Sequence, residues 1–142
     1  MVTLSKFPEY LAAVPAAAAG DFVSARSNFA SLFAKIEAEA TPEQLAFVLQ
    51  LMADVEAQAG NAEKALSLHE RAVAIDEANP LTRLNCAKSL LGNLNNAALA
   101  LAHLQEAESL LASSAWHPND QDMPRQWYEQ QIQAVRQRAL SA

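Results

Sequence analysis

Apolar residues along this chain fall three and four apart, with prolines where the runs begin and glycines where they stop. In residues 59–80, AGNAEKALSLHERAVAIDEANP, the residues Ala65, His69, Ala72 and Ile75 share one helical face between a glycine and a proline. Thr41-Pro42-Glu43-Gln44 supplies a threonine N-cap, a proline at the first helical position and a glutamine able to close a capping box, so a helix starts there. Asn79-Pro80 repeats that chemistry, and Asp122-Met123-Pro124 repeats it more loosely. Gly20, Gly60 and Gly92 each end an apolar segment and precede Asp or Asn. Each is expected to make a left-handed turn after which the polar residue caps the next helix. These signals predict helices at about 8–19, 21–39, 42–59, 62–77, 80–92, 96–113 and 124–140. No segment sustains a period of two and no β-branched cluster occurs, so the predicted fold class is all-α. Pro15 falls inside the first helix, where it removes a hydrogen bond and crowds the Leu11 carbonyl; that helix is expected to be kinked or to begin late.

The face read after Gly60 recurs. From Gly20 the same steps reach Ala25, Phe29, Leu32 and Ile36, and from Gly92, after three residues are skipped, Ala100, Leu104, Ala107 and Leu110. Small and large residues alternating on one face let a second helix lie close and insert its bulk between the small ones. Three antiparallel helix pairs of about 34 to 40 residues, stacked in order, are the expected architecture.

In its motif this chain resembles the tetratricopeptide repeat. Residues 46–79 carry the match best, with Ala53 at the small position of the first helix, Gly60 at the turn, Ala65 and Ala72 at the two small positions of the second, and Pro80 just beyond. Residues 80–113 keep Ala87, Ala100 and Ala107 with a lengthened turn, and residues 6–40 form a weak repeat interrupted by Pro15. Helix 124–140, with Trp127, Tyr128, Ile132 and Val135 to bury, is similar to the solubilising cap of such stacks. The resemblance implies a single domain over 1–142, wound as a right-handed superhelix of about seven helices. It also implies a concave face lined by the first helix of each pair. Phe7, Tyr10 and Leu11, then Phe47, Gln50, Leu51 and Asp54, then Leu81, Leu84, Asn85 and Lys88 fall on it. A mostly apolar groove with a few polar handles suits an extended or helical peptide; packing into the core is the competing role for each of these residues. Relatives that grip an acidic carboxyl terminus use several cations at these positions. Gln50 and Asp54 stand where cations are wanted and only Asn85 and Lys88 fit, so no such clamp is expected.

Composition narrows the partners. Hydrophobic residues make up 51% of the 142 and charged residues 18%, the balance of one packed helical domain rather than a disordered chain. A net charge of -6 repels a phosphate backbone, so nucleic acid is not an expected partner. Residues 37–77 hold nine carboxylates against Lys64 and Arg71, which reads either as a solvated face or as a docking face for a basic partner. Cys86, the only cysteine, lies in a helical context and is expected to be a small buried hydrophobe. No apolar run approaches the about 20 residues that span a bilayer, so no membrane insertion is expected. The start, MVTLSKFPEYLAAVPAAAAGD, imitates a secretory signal, but Pro8, Glu9 and Pro15 break its apolar run and a cytoplasmic location is the expectation.

Candidate chemistry is sparse. His69, His103 and His117 show no metal-ligand spacing, and the loop with Asn119, Asp120 and Asp122 lacks the turn glycine and closing glutamate of a calcium loop. Neither metal nor cofactor is expected, because no nucleophile elbow, P-loop or dinucleotide fingerprint occurs. Glu37 and Glu39, like Glu106 and Glu108, are two apart and point to different sides of a helix, leaving no pair for acid–base work. The residues therefore point to a non-catalytic module binding a protein or peptide, with Tyr10, Phe47, Gln50, Leu51, Asp54, Leu81, Asn85 and Lys88 as its binding residues. They leave open a dedicated chaperone or toxin-neutralising partner of a secreted protein, and a homodimer formed through the first unit or the last helix. An enzyme would need His69 or His103 brought beside carboxylates.

Overall fold

A computed structural model describes residues 1–113, 116 and 123–141. Among these are seven helices and no strand: α1 (Pro8–Ala18), α2 (Phe22–Ile36), α3 (Pro42–Gln58), α4 (Ala62–Ile75), α5 (Pro80–Gly92), α6 (Ala97–Ala112) and α7 (Arg125–Ser141). A single 3-10 turn, Leu4–Lys6, precedes them. The fold is all-α, as the apolar spacing predicts, and it divides into two compact units, Met1–Asp76 and Glu77–Ala142.

In the first unit each helix packs on the next, α1 on α2, α2 on α3 and α3 on α4. Ala25, Phe29, Leu32 and Ile36 of α2 are buried together with Ala13, Val48 and Val55. Alanines at Ala13 and Ala25 give the close approach, and each large side chain removed from water contributes about 1.5–3 kcal/mol. The α3 start is built from local chemistry. Gln44 N donates to Thr41 Oγ1 at 3.2 Å and Thr41 N donates to Gln44 Oε1 at 3.2 Å, closing the capping box. The same glutamine ties the chain's first residues down, its Nε2 donating to the Val2 carbonyl at 2.5 Å and its Oε1 accepting from Val2 N at 3.1 Å. Glu9 of α1 pairs with Lys35 of α2, and this ammonium holds the Glu9 carboxyl below the usual carboxylate range.

Several boundaries differ from expectation. Helix α1 begins at Pro8 and runs through Pro15 rather than starting late; proline serves at its first position as it does at Pro42 and Pro80. Helix α2 stops at Ile36, where Glu39 N and Ala40 N both donate to the Ile36 carbonyl and close a turn. Gly20 and Gly60 take the left-handed backbone, with φ of 79° and 89°. Gly92 does not: it is the last residue of α5, and Asn95, at φ 51°, supplies the left-handed residue of the longer connection. Accordingly Asn96, not Asn93, caps α6, accepting from Leu99 N at 3.1 Å. Asp21 caps α2, accepting from Ser24 N, whereas Asn61 turns its amide away from α4 and donates to Glu56.

In the second unit α5 packs on α6, and α7 packs on both. Ala100, Leu104 and Ala107 are buried, and Leu111 rather than Leu110 completes that face. Cys86 is buried and forms no disulfide, a packing residue as expected. Helix α7 buries Tyr128, Ile132, Val135 and Ala139, a single stripe at helical spacing, while Trp127 is only half-buried. The Trp127 and Trp116 rings both meet Tyr128 edge-on, with centroids 5.1 and 5.8 Å away.

Candidate functional site

The first unit carries a groove enclosing about 320 Å³ between α1 and α3, floored by Phe29 of α2. Its α1 wall is Val14, Ala17 and Ala18, and its α3 wall is Leu51, Asp54, Val55 and Gln58. The periodicity of the two helices explains the wall. Tyr10, Val14 and Ala17 recur at i, i+4 and i+7 on α1, and Phe47, Leu51, Asp54 and Gln58 recur at i, i+4, i+7 and i+11 on α3. Val14, in the groove wall, and Phe47, one turn beyond it, are each 40% exposed, so large apolar side chains meet water in and beside the groove. Leu51 and Tyr10 are half-buried and pack on the core beneath it.

The predicted binding residues divide accordingly. Leu51 and Asp54 line the groove and Phe47 stands exposed one turn away. Gln50 is 6% exposed, because its place on α3 turns it inward, so it offers little surface to a ligand. In the second unit Leu81 and Asn85 are half-buried and Leu84 is fully buried. Lys88 is engaged within its own unit: its Nζ donates to Gln131 Oε1 at 3.1 Å and lies 5.9 Å from the Trp127 ring centroid. Val14, Ala17, Ala18, Val55 and Gln58 are groove residues that the sequence reading missed. The helical continuation from Tyr10 and from Phe47 was the signal that could have found Val14, Ala17 and Gln58; Ala18 and Val55 lie one position off those series.

Two of the three histidines, His69 and His103, lie within the described residues, on different helices. His69 is buried in α4, only 2% exposed, and that burial pushes its imidazole pKa down to about 4. His103 Nδ1 lies 3.3 Å from Arg83 Nη1, joining α6 to α5. His117, and the loop residues Asn119, Asp120 and Asp122, lie outside the described residues. Among the described residues no group of three or more His, Cys, Asp or Glu side chains is placed to hold a metal ion, and no helix is long and apolar enough to cross a membrane.

Comparison with protein-family models, with curated proteins and with solved structures gives no match.

Proposed function

We propose that this chain is a non-catalytic interaction module, a tetratricopeptide-like helical repeat that holds a peptide segment of a partner protein against the α1–α3 face of its first unit. The observation that carries this reading is the groove itself, with a mostly apolar lining that includes Asp54 and Gln58, Val14 exposed in its wall and Phe47 exposed one turn away. Exposed apolar surface aligned along a concavity costs solubility, and covering it with an apolar segment offsets that cost. Gln58 offers a side-chain oxygen to a backbone N–H group of such a segment, which fixes its register.

This reading concentrates binding on α1 and α3 rather than on Lys88, whose ammonium donates to Gln131 of α7. The test is recovery of the partner from native extract by tagged variants that circular dichroism shows to be folded. Val14→Glu and Phe47→Glu place charge at exposed positions in and beside the groove and lose the partner, while Asn85→Ala combined with Lys88→Glu keeps it. Retention by both groove variants would refute the assignment.

A further inference from the structure

A second concavity of the first unit has a different character. It encloses about 350 Å³ between α2, α3 and α4 and is walled by Ala30, Met52, Val55 and Leu68. Three cations, Arg26, Lys64 and Arg71, line it against the single carboxylate of Glu56. That excess is unexpected in a chain of net charge -6, and Lys64 and Arg71 are the only two Lys or Arg residues in the acidic stretch 37–77.

The arrangement follows from the helices. Lys64, Leu68 and Arg71 recur at i, i+4 and i+7 on α4, which puts two cations on one face with a leucine between them. Glu56 is buried and already satisfied. Its Oε1 accepts from Arg26 Nε at 2.5 Å, and its Oε2 accepts from Arg26 Nη2 at 3.4 Å and from Asn61 Nδ2 at 2.9 Å. Lys64 Nζ stands 3.7 Å from Glu56 Oε1 with its side chain 58% exposed, and the Arg71 guanidinium lies 5.5 Å from the Phe33 ring centroid. The buried Glu56 carboxylate is thus paired with Arg26 and has Lys64 close by, while Lys64 and Arg71 line a cavity whose other walls are mostly apolar.

We infer that this pocket binds an aliphatic carboxylate, with the apolar body between Ala30, Met52 and Leu68 and the carboxylate at the Lys64–Arg71 rim. A cation excess over apolar walls rewards a ligand carrying one anionic end on a hydrocarbon body, because each part alone satisfies only half of the surface. The site shares only Val55 with the α1–α3 groove, and the inference does not depend on that groove's occupant. The same chemistry is offered by a free fatty acid or by a chain end whose last residue is apolar.

The test titrates the whole protein with hexanoate and with an N-acetylated tripeptide ending in leucine, using hexanol and the leucine amide as uncharged counterparts. Binding is read by calorimetry and by amide NMR shifts at Ala30, Met52 and Leu68. One of the acids binds about tenfold or more tighter than its uncharged counterpart, and the tighter acid identifies the source. Lys64→Gln with Arg71→Gln removes that preference while leaving the Arg26–Glu56 pair in place. Lys35→Gln, which removes a cation of the same unit that pairs with Glu9, leaves it unchanged. Equal binding of acid and uncharged ligand, an affinity untouched by the double variant, or no binding of either acid would each overturn the inference.

Discussion

Replacing His69 with leucine removes a defined part of the protein's acid sensitivity. His69 sits on the buried stripe of α4 between Ala65 and Ala72, in the place that Phe29 and Leu104 occupy in α2 and α6. Burial lowers its pKa from 6.5 to about 4, so in acid the unfolded chain takes up a proton that the folded chain refuses. The stability at stake is fully present above the unfolded pKa and is lost as pH falls from about 6.5 toward 4. A proton bound by the unfolded chain alone costs about 1.36 kcal/mol for every pH unit descended, so titration of this one group removes about 2 kcal/mol between pH 7.5 and pH 5. That is a substantial share of the about 5–15 kcal/mol that separates folded from unfolded domains. The buried carboxylates act in a lower window. The Arg26 guanidinium holds Glu56 below its ordinary 4.5, so its contribution is present above that value and is lost as pH falls through the depressed folded pKa. Urea unfolding followed by circular dichroism, at pH 7.5, 6 and 5, separates the two. Wild type loses about 2 kcal/mol more than His69→Leu over that range, since His103 and His117 are common to both proteins. Parallel pH profiles for the two proteins would refute the burial argument.

Further outcomes follow from other contacts. Arg26→Met leaves the buried Glu56 carboxylate with Asn61 and Lys64 as its remaining partners and lowers the urea midpoint, whereas Arg26→Met with Glu56→Met restores most of it. A double-mutant cycle with no coupling between the two residues would contradict that pairing. Gly60→Ala forces a side chain onto a backbone at φ 89° and costs about 1–2 kcal/mol, while Gly92→Ala, helical with open space around it, is neutral or stabilising by up to about 1 kcal/mol. Paired thermal melts check that contrast, and equal losses would refute the different turn geometries.

Features confined to a few neighbouring residues were legible in the sequence. The Thr41–Gln44 capping box, the Asn79 cap and the Ala25-Phe29-Leu32-Ile36 stripe depend on spacing alone, and all are present. Gly92 was misread because a glycine after an apolar run usually makes the left-handed turn. Here the connection continues to Asn96, and Asn95, which tolerates that backbone, makes the turn instead. The tertiary pairings were illegible for a different reason. Arg26 and Glu56 are separated by 30 residues, and Lys88 and Gln131 by 43, so no local pattern marks them. Lys88 therefore read as a groove handle with nothing in its neighbourhood to mark the hydrogen bond its ammonium donates to Gln131 of α7. The lining of the α1–α3 groove was half visible: Leu51 and Asp54 emerged from the repeat, while Val14 stands beside Pro15 in an alanine-rich run whose small residues mark no face.

Photo-crosslinking tests the central claim most directly. A benzophenone amino acid is placed at Phe47, 40% exposed beside the groove, and separately at Val23, 76% exposed on α2 and not part of the groove lining. After irradiation in the native cell, the Phe47 probe yields a discrete crosslinked partner, and adding Val14→Glu abolishes it, while the Val23 probe yields none. A discrete adduct from Val23 with none from Phe47 would contradict the assignment of the α1–α3 face.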